Sequence, residues 1–352
     1  MLRLRGTMKI AMFDTHGYDR ESFALANQRY GHDITFLEPR LLRATAKLAE
    51  GHEVVCAFVN DRADADTLQT LASGGTRLLA LRSAGYNHVD LETAAKVGIE
   101  VVRVPAYSPY AVAEHAVALV LALNRKIHRA SARVREWNFS LEGLVGFDLH
   151  GKTVGIIGTG KIGQVAAGIF KGFGCRVLAS DVYPNQEFAQ RAGVEYVGLD
   201  ALYASSDIVT LHVPLTPETF HMVDERALAS MKKSAFLINT SRGALVDSRA
   251  LVGALKRGEL AAAGLDVYEE EAGIFFQDLS NQMLEDDVLA RLLSFPNVLI
   301  TSHQAFMTAE ALGNIADVTL ENVRAFEHGE PLVNAVRAEA VLRPSVKAKL
   351  PR

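Results

Sequence analysis

Thr153-Val-Gly-Ile-Ile-Gly158-Thr-Gly160-Lys-Ile-Gly163-Gln-Val165 is the stretch on which the fold turns. A strand-like run, 153–157, leads directly into three glycines spaced G-x-G-x-x-G, and a helical pattern opens at Lys161. Placed between a strand and a helix, that spacing is a dinucleotide-binding turn. Gly158 permits the tight turn, Gly160 lets the backbone approach a pyrophosphate, and Gly163 lets helix and strand pack closely. The N–H groups of Lys161 and Ile162 would then face the phosphates. The next strand, 176–180, runs into Asp181, 21 residues past Gly160. An acid at that distance accepts hydrogen bonds from the adenosine ribose and repels a 2′-phosphate. Val182 and Tyr183 follow and supply no arginine, so the pattern favours NAD over NADP. The alternative is an aspartate that merely caps a turn at the strand end.

Working outward, short apolar runs alternate with helical patterns along the whole chain. The first half reads as strands at 9–14, 33–37, 54–59, 78–82 and 100–104, with helical stretches at 41–50, 65–72 and 91–97 between them. A long helix is expected over 109–137, with Ser108 as its N-cap and Pro109 in its first turn. Beyond a connection carrying Gly143, Gly146 and Gly151, strands recur at 153–157, 176–180, 208–212, 235–239, 261–267 and 298–301. A last amphipathic helix covers 308–327. Such βα alternation implies parallel sheets with helices on both faces. The fold class is therefore α/β, with two doubly wound parallel-sheet units. Only the second carries a glycine fingerprint.

Composition is compatible with this and excludes other classes. A chain of 352 residues suggests two domains. Its 37 Lys+Arg against 41 Asp+Glu give a net charge of −4 without long single-sign blocks, which argues against a nucleic-acid partner. The longest tempting apolar segment, 116–123, is far short of the ~20 residues that span a bilayer, so no membrane partner is expected. The N-terminus lacks the apolar core of a signal peptide, and Met8 would serve as a start as well as Met1. Two cysteines, Cys56 and Cys175, lie in strand-like runs with no Cys-x-x-Cys, which points to a reducing, cytoplasmic compartment. No metal-ligand pattern is present.

Further chemistry-bearing residues stand at or just beyond the ends of second-half strands, where doubly wound sheets place ligands. Arg242 follows Phe-Leu-Ile-Asn-Thr-Ser, Asp266 leads on to Glu271, and His303 follows Val-Leu-Ile-Thr-Ser. Singly, each has a plainer account as a surface ion pair, a cap or a packed histidine. Jointly they suit hydride delivery to a 2-keto acid. Negative charge develops on the carbonyl oxygen, and histidine is a suitable proton donor near neutral pH. A glutamate beside it would orient the ring and favour the imidazolium. An arginine can hold the substrate carboxylate through paired hydrogen bonds.

Several stretches in order carry a family resemblance: Arg82-Ser-Ala-Gly-Tyr-Asn-His-Val-Asp90, Tyr107-Ser-Pro109, Leu211-His-Val-Pro-Leu-Thr-Pro-Glu-Thr219, Ile238-Asn-Thr-Ser-Arg-Gly-Ala-Leu-Val-Asp247, Asp266-Val-Tyr-Glu-Glu-Glu-Ala-Gly-Ile-Phe-Phe276 and His303-Gln-Ala-Phe306. From Met8 to about Asn334 the chain resembles the D-isomer-specific 2-hydroxyacid dehydrogenases, and within them the bacterial fermentative D-lactate dehydrogenases. The resemblance implies Arg242 as the substrate-binding arginine, His303 as the acid/base, and Glu271, rather than Glu269 or Glu270, as its carboxylate partner. It implies Asp266 on the nicotinamide side, with Val213, Pro214, Thr240 and Ser241 lining the cofactor. Ala84 and Gly85 match the loop that grips the substrate carboxylate, and Tyr107 and Phe306 match pocket aromatics, though by sequence alone both read as packing. Ser302 and the extra N-terminal residues depart from the family pattern without touching the mechanism.

The same resemblance implies an architecture. A flavodoxin-like substrate domain would comprise 1–106 and 303–352, and a Rossmann NAD domain 107–302, with the active-site cleft between them and hinges near 107 and 302. The implied function is NADH-dependent reduction of pyruvate to D-lactate by a homodimer built through the long helix, with a tetramer as the other assembly. Rival readings are a reductase of glyoxylate, hydroxypyruvate or a bulkier 2-keto acid, and, from another class, an NAD(H)-binding co-regulator. A phosphoglycerate dehydrogenase fits less well because the tail after Glu330 is short. A formate dehydrogenase would call for glutamine beside the histidine.

Overall fold

The structure, a computed structural model, describes residues 7–337 and 350. The chain divides into two units. It passes from the first to the second between Ser108 and Pro109 and returns to the first between Phe306 and Met307. The tail beyond Arg337, which sequence reading assigns to the substrate domain, lies outside the described residues apart from Leu350.

The first unit holds a five-stranded, all-parallel sheet of β1 (Lys9–Met12), β2 (Asp33–Phe36), β3 (Val54–Ala57), β4 (Leu78–Leu81) and β5 (Glu100–Arg103), in the order β2-β1-β3-β4-β5. That is the flavodoxin-like order. β3 and β4 are buried along their whole length, which is why they read as unbroken apolar runs rather than alternating ones. The helix Ala309–His328 packs on Gly17–Asn27 and on β4, so the last amphipathic helix belongs to this unit.

The 41–50 region is not the expected helix. Only a short 3₁₀ turn, Ala46–Ala49, forms there. Local side chains capture the backbone first: Asp61 accepts from the Leu41 N–H at 2.6 Å, and Thr45 Oγ1 accepts from Leu42 N while donating to Arg40 O. Such bonds compete with helix formation, and the apolar spacing of Leu41, Ala46 and Ala49 is met by burial alone. Conversely, Gly17–Asn27 is a helix that weak amphipathicity and an initial glycine concealed.

The second unit is built on seven parallel strands: β6 (Thr153–Ile157), β7 (Arg176–Ser180), β8 (Val194–Tyr196), β9 (Ile208–Leu211), β10 (Phe236–Asn239), β11 (Ala262–Leu265) and β12 (Val298–Ile300). Their order, β12-β11-β10-β9-β6-β7-β8, reverses direction between β9 and β6. β8, only three residues long, is a strand that the apolar runs did not announce. Helix Pro109–Arg125 lies on this sheet. A Cβ added to Gly264 would come within 3.2 Å of Leu119 and Leu123, so the bare glycine lets helix and sheet meet.

The expected helix over 109–137 is interrupted. Pro109–Arg125 and Ile127–Arg135 are separate helices, divided at Lys126, which adopts a left-handed φ of 51°. The physical cause is the glycine-bearing connection. The buried Asn124 side chain accepts from Phe147 N at 2.8 Å and donates to Phe147 O at 2.7 Å, and a Cβ on Gly146 would lie 2.6 Å from Asn124 O. The returning chain docks on the helix end and turns it aside.

Both cysteines are free and buried. Helix Lys161–Gly172 begins so close to the β6 turn that a Cβ on Gly163 would fall 1.9 Å from Gly158 O. Gly163→Ala is therefore expected to destabilise the unliganded protein by roughly 1–3 kcal/mol through overpacking. The check is the urea midpoint at unchanged m-value, compared with Gly168→Ala, where nothing lies within 4 Å.

Candidate active site

Every predicted cofactor and catalytic residue of the second unit lies just beyond the carboxyl end of a parallel strand, or in the connection that follows one. The β6–β9 register sets Ile157 opposite Leu211, so the residues that follow, Gly158 and His212, are neighbours at the point where strand order reverses. That is where open α/β sheets bind ligands. Gly158 has a φ of 93°, and a Cβ there would strike His212 O at 2.4 Å and Val213 Cγ1 at 2.7 Å. Gly160 differs: nothing lies within 4 Å of where its Cβ would be. It is the N-cap of Lys161–Gly172 and brings no side chain to cap the helix, leaving the first-turn N–H groups of Lys161 and Ile162 for an anion. These features fit the pyrophosphate of NAD.

Asp181, just past β7, turns back onto the same turn. Its Oδ2 accepts from the N–H of Thr159 at 2.6 Å and from its hydroxyl at 3.0 Å, and its Oδ1 accepts from Tyr183 N at 2.8 Å. Thr159 Oγ1 in turn lies 2.7 Å from the Tyr196 hydroxyl.

The Arg242 turn follows β10. Asn239 shapes it, donating to Arg242 O at 2.8 Å and accepting from Ser241 N at 3.0 Å, while Ser241 Oγ donates to Leu211 O on β9. The Arg242 guanidinium donates to Ser241 O at 2.6 Å. Behind it, the Gly243 backbone abuts Tyr268: a Cβ there would lie 2.0 Å from the Tyr268 carbonyl carbon. Thus the arginine turn and the loop after β11 touch backbone to backbone. Thr240 is buried beside it, and Pro214 O accepts from Thr219 Oγ1 at 2.7 Å.

The loop after β11 carries Asp266 and Glu271. Glu271 Oε1 lies 2.8 Å from His303 Nδ1, and its Oε2 accepts from Tyr268 N at 3.1 Å, so both carboxylate oxygens are held. Glu269, two residues earlier, instead meets His221 Nε2 at 2.5 Å. His303 itself sits at φ 51°, and its N–H donates to Asp266 O at 2.7 Å. Phe276 tilts toward the imidazole with ring centroids 5.9 Å apart. Ser302, a departure expected to be neutral, accepts from Phe276 N at 3.3 Å and so ties that loop to the histidine turn.

Asp266 has no exposed surface. Its carboxylate accepts from Thr301 Oγ1, Gln304 N and Ala305 N at 2.5, 2.8 and 2.9 Å. Burial alone would raise its pKa, but hydrogen bonds from His115, Thr301 and Ala305 outweigh that and hold the carboxyl below its usual range. His115, from the helix Pro109–Arg125, donates to or accepts from Thr301 Oγ1 at 3.0 Å and lies 3.4 Å from Asp266. Sequence reasoning passed over His115, His212, Tyr196 and Phe276. Phe276 ends one quoted family stretch and His212 lies in another, but nothing local marks His115 or Tyr196.

The first-unit residues Ala84 and Gly85 follow β4. Their carbonyls accept from Arg103 Nη1 at 2.8 Å and Ser83 Oγ at 2.9 Å, which shapes the loop. Tyr107 O accepts from Asn314 Nδ2 at 2.7 Å. Phe306, in the second unit, is buried. Among the described residues no cluster of His, Cys, Asp or Glu could hold a metal ion.

Comparison with known proteins supplies the family. Residues 117–305 match the model of the D-isomer specific 2-hydroxyacid dehydrogenase NAD-binding domain. The chain belongs to the D-isomer-specific 2-hydroxyacid dehydrogenases. It is 54% identical over 329 residues to a Schizosaccharomyces pombe protein named 2-hydroxyacid dehydrogenase homolog 1, covering 93% of this chain and 99% of that one. To the Escherichia coli D-lactate dehydrogenase it is 50% identical over 327 residues, with 93% and 99% covered. A solved structure of the pyruvate reductase of Chlamydomonas reinhardtii superposes with a TM-score of 0.89 at 48% identity, covering 93% and 98% of the two chains. The protein is thus an NAD-dependent oxidoreductase of this family, with two α/β units.

Burial pushes His212 of the dehydrogenase down to about 4, so the ring is neutral at pH 7. Because the unfolded histidine titrates near 6.5, the unfolded state takes up a proton first as pH falls. Stability contributed at neutral pH is then lost between pH ~6.5 and ~4, by at most about 3 kcal/mol. Subtracting the pH profile of urea stability of His212→Gln from that of wild type, both without NADH, should give a difference that changes across this window. A flat difference would mean that His212 is not held neutral.

Proposed function

We propose that the protein is a D-lactate dehydrogenase that reduces pyruvate with NADH, in the direction that regenerates NAD during fermentation. The observation that carries this reading is the His303–Glu271 pair, held against the Arg242 turn in a chain about half identical to a D-lactate dehydrogenase. When bound, the reduced nicotinamide supplies the hydride that becomes the C2 hydrogen of lactate.

The remaining chemistry falls to this chain's residues. Arg242 swings from the Ser241 carbonyl to take the substrate carboxylate in a paired hydrogen bond, with the Ala84–Gly85 backbone contributing further donors. As charge builds on the C2 oxygen, His303 donates its Nε2 proton. Glu271 accepts from Nδ1–H, so the ring is oriented with Nε2 outward. Asp266 keeps the histidine turn in place on the nicotinamide side. Gly158, Gly160, Lys161, Ile162 and Gly163 hold the pyrophosphate, Asp181 the adenosine ribose, and Val213, Pro214, Thr240 and Ser241 line the cofactor. Tyr107 and Phe306 bound the substrate. Lactate oxidation reverses these steps, with His303 as base.

The protein acts as a homodimer in this reading. Support comes from the exposed apolar side chains of Trp137, Leu141 and Val145, each at least 80% accessible, in the segment after the helix Ile127–Arg135. The reading places it in the cytoplasm, which the two reduced, buried cysteines favour. Among the described residues no helix is long and apolar enough to cross a membrane.

The test of substrate is NADH oxidation with pyruvate, glyoxylate, hydroxypyruvate and a bulkier 2-keto acid at matched concentrations. Highest kcat/KM on pyruvate is expected, and a clear preference for another keto acid would replace the substrate while keeping the chemistry. Arg242→Lys retains charge but loses the planar fork, so KM for pyruvate should rise and kcat fall while the Kd for NADH stays unchanged. Near-normal kcat/KM would remove Arg242 from the site.

For the acid/base, His303→Ala is expected to lose roughly 10²–10⁴-fold in kcat, and Glu271→Gln a smaller factor of about 10–100 through loss of ring orientation. Both should bind NADH normally in a fluorescence titration. If His303→Ala turns over within tenfold of wild type, the proton comes from elsewhere.

A further inference from the structure

We propose that Tyr196 and Thr159 govern the choice of NADH over NADPH, by locking the Asp181 carboxylate with a single acceptor position left for the adenosine ribose. This deepens the NAD-binding reading and rests on it.

The argument starts from proton counting. An ionised carboxylate only accepts hydrogen bonds, and it has about four acceptor positions. The Thr159 N–H and hydroxyl both fall on Oδ2, and the Tyr183 N–H falls on Oδ1. One position remains, on Oδ1. Thr159 is buried, and it has one hydroxyl proton, already given to Asp181. Its 2.7 Å contact with Tyr196 must therefore be filled by the phenol proton. The phenol oxygen, having donated, accepts from the N–H of Asn185 at 3.1 Å. The donors thus run one way: Asn185 N–H to Tyr196, Tyr196 O–H to Thr159, Thr159 O–H to Asp181.

Tertiary placement makes the relay possible. β8 is the edge strand of the sheet, paired to β7 with Ala179 opposite Tyr196. Tyr196 therefore reaches the end of β7 from the side away from β6, while Thr159 reaches it from the glycine turn after β6. Thr159 thus stands between Tyr196 and Asp181, bonded to both.

A fixed, ionised carboxylate at this point discriminates twice. It offers a ribose hydroxyl an acceptor already oriented, without an ordering cost. It also meets a 2′-phosphate, which carries roughly −1.5 to −2 charge at neutral pH, with a like charge that has no room to rotate away. A carboxylate held only by Tyr183 N would yield to the phosphate by turning, and the penalty would shrink. Tyr196 and Thr159 are positioning residues in this sense. Neither needs to touch the cofactor through its side chain.

The experiment measures Kd for NADH and for NADPH by fluorescence titration, with melting temperature as a fold control. Wild type, Tyr196→Phe, Thr159→Val and Thr159→Ser are compared. Losing one neutral hydrogen bond should lower the ratio Kd(NADPH)/Kd(NADH) by about three- to tenfold in Tyr196→Phe, and by at least as much in Thr159→Val. Thr159→Ser keeps the hydroxyl and should hold the ratio near wild type. If both affinities weaken together so that the ratio stands still in Tyr196→Phe, the relay only scaffolds the turn and the proposal fails. Should Thr159→Val not fold, Tyr196→Phe alone decides. Turnover of a 2-keto acid with NADH by wild type separates the two questions. An active enzyme whose ratio ignores Tyr196 overturns this inference and leaves the dehydrogenase reading standing, whereas a wild type that binds neither nucleotide overturns both.

Discussion

The carboxylate of Asp266 is the interaction on which the catalytic end of this dehydrogenase depends. A fully buried acid is costly unless its oxygens are satisfied. Here Thr301, Gln304 and Ala305 satisfy them, and all three belong to the turn that carries His303. The same turn forces His303 into a left-handed backbone conformation, which costs a non-glycine residue of order 1 kcal/mol or more. That strain persists because the surrounding bonds overdetermine the turn: the His303 N–H is tied to Asp266 O, and Thr301 N to Leu265 O. Burial, strain and satisfied polarity thus act on one small segment, and the result is an imidazole whose position leaves little freedom.

Backbone-to-backbone approach is the second device. Gly158 lies against His212 O, Gly163 against Gly158 O, and Gly243 against Tyr268. In each case a Cβ would sit closer than atoms can, so the contact exists only because the side chain does not. These contacts draw together the connections that follow β6, β9, β10 and β11, so that their side chains meet. Glu271 illustrates the benefit. Its two oxygens are shared between Tyr268 N and His303 Nδ1, which fixes the carboxylate as well as the ring it orients.

The local signals in the sequence were strongest where one segment has a single physical solution. The glycine turn was readable because three glycines, an apolar strand and a helix start must coincide. The fully buried strands were readable because parallel sheets covered on both faces need continuous apolar runs. Legibility failed where distant groups compete with local preference. Residues 41–50 have helical spacing, but Asp61 takes the Leu41 N–H. Residues 109–137 read as one helix, but Phe147 docks on Asn124 and the chain breaks at Lys126. Ser302 accepts from Phe276 N, a bond between distant segments that no local pattern announces.

What the sequence by itself determined is the α/β class, the dinucleotide turn at 158–163, and the order in which Arg242, Asp266, Glu271 and His303 follow strands. Each is a property of periodicity or spacing within one segment, and spacing survives in a linear text. Spacing within the chain does not say which glutamate faces which histidine: the family resemblance named Glu271 for His303, and the fold sets both pairings. Glu269 and Glu271 are chemically identical and two residues apart, yet one meets His221 and the other His303, because the loop after β11 turns between them. His115, Tyr196 and Thr159 acquire their roles the same way, from side chains brought together by strand order across tens of residues. Hydrogen bonds are short and directional, and only the folded chain places donor and acceptor within 3 Å.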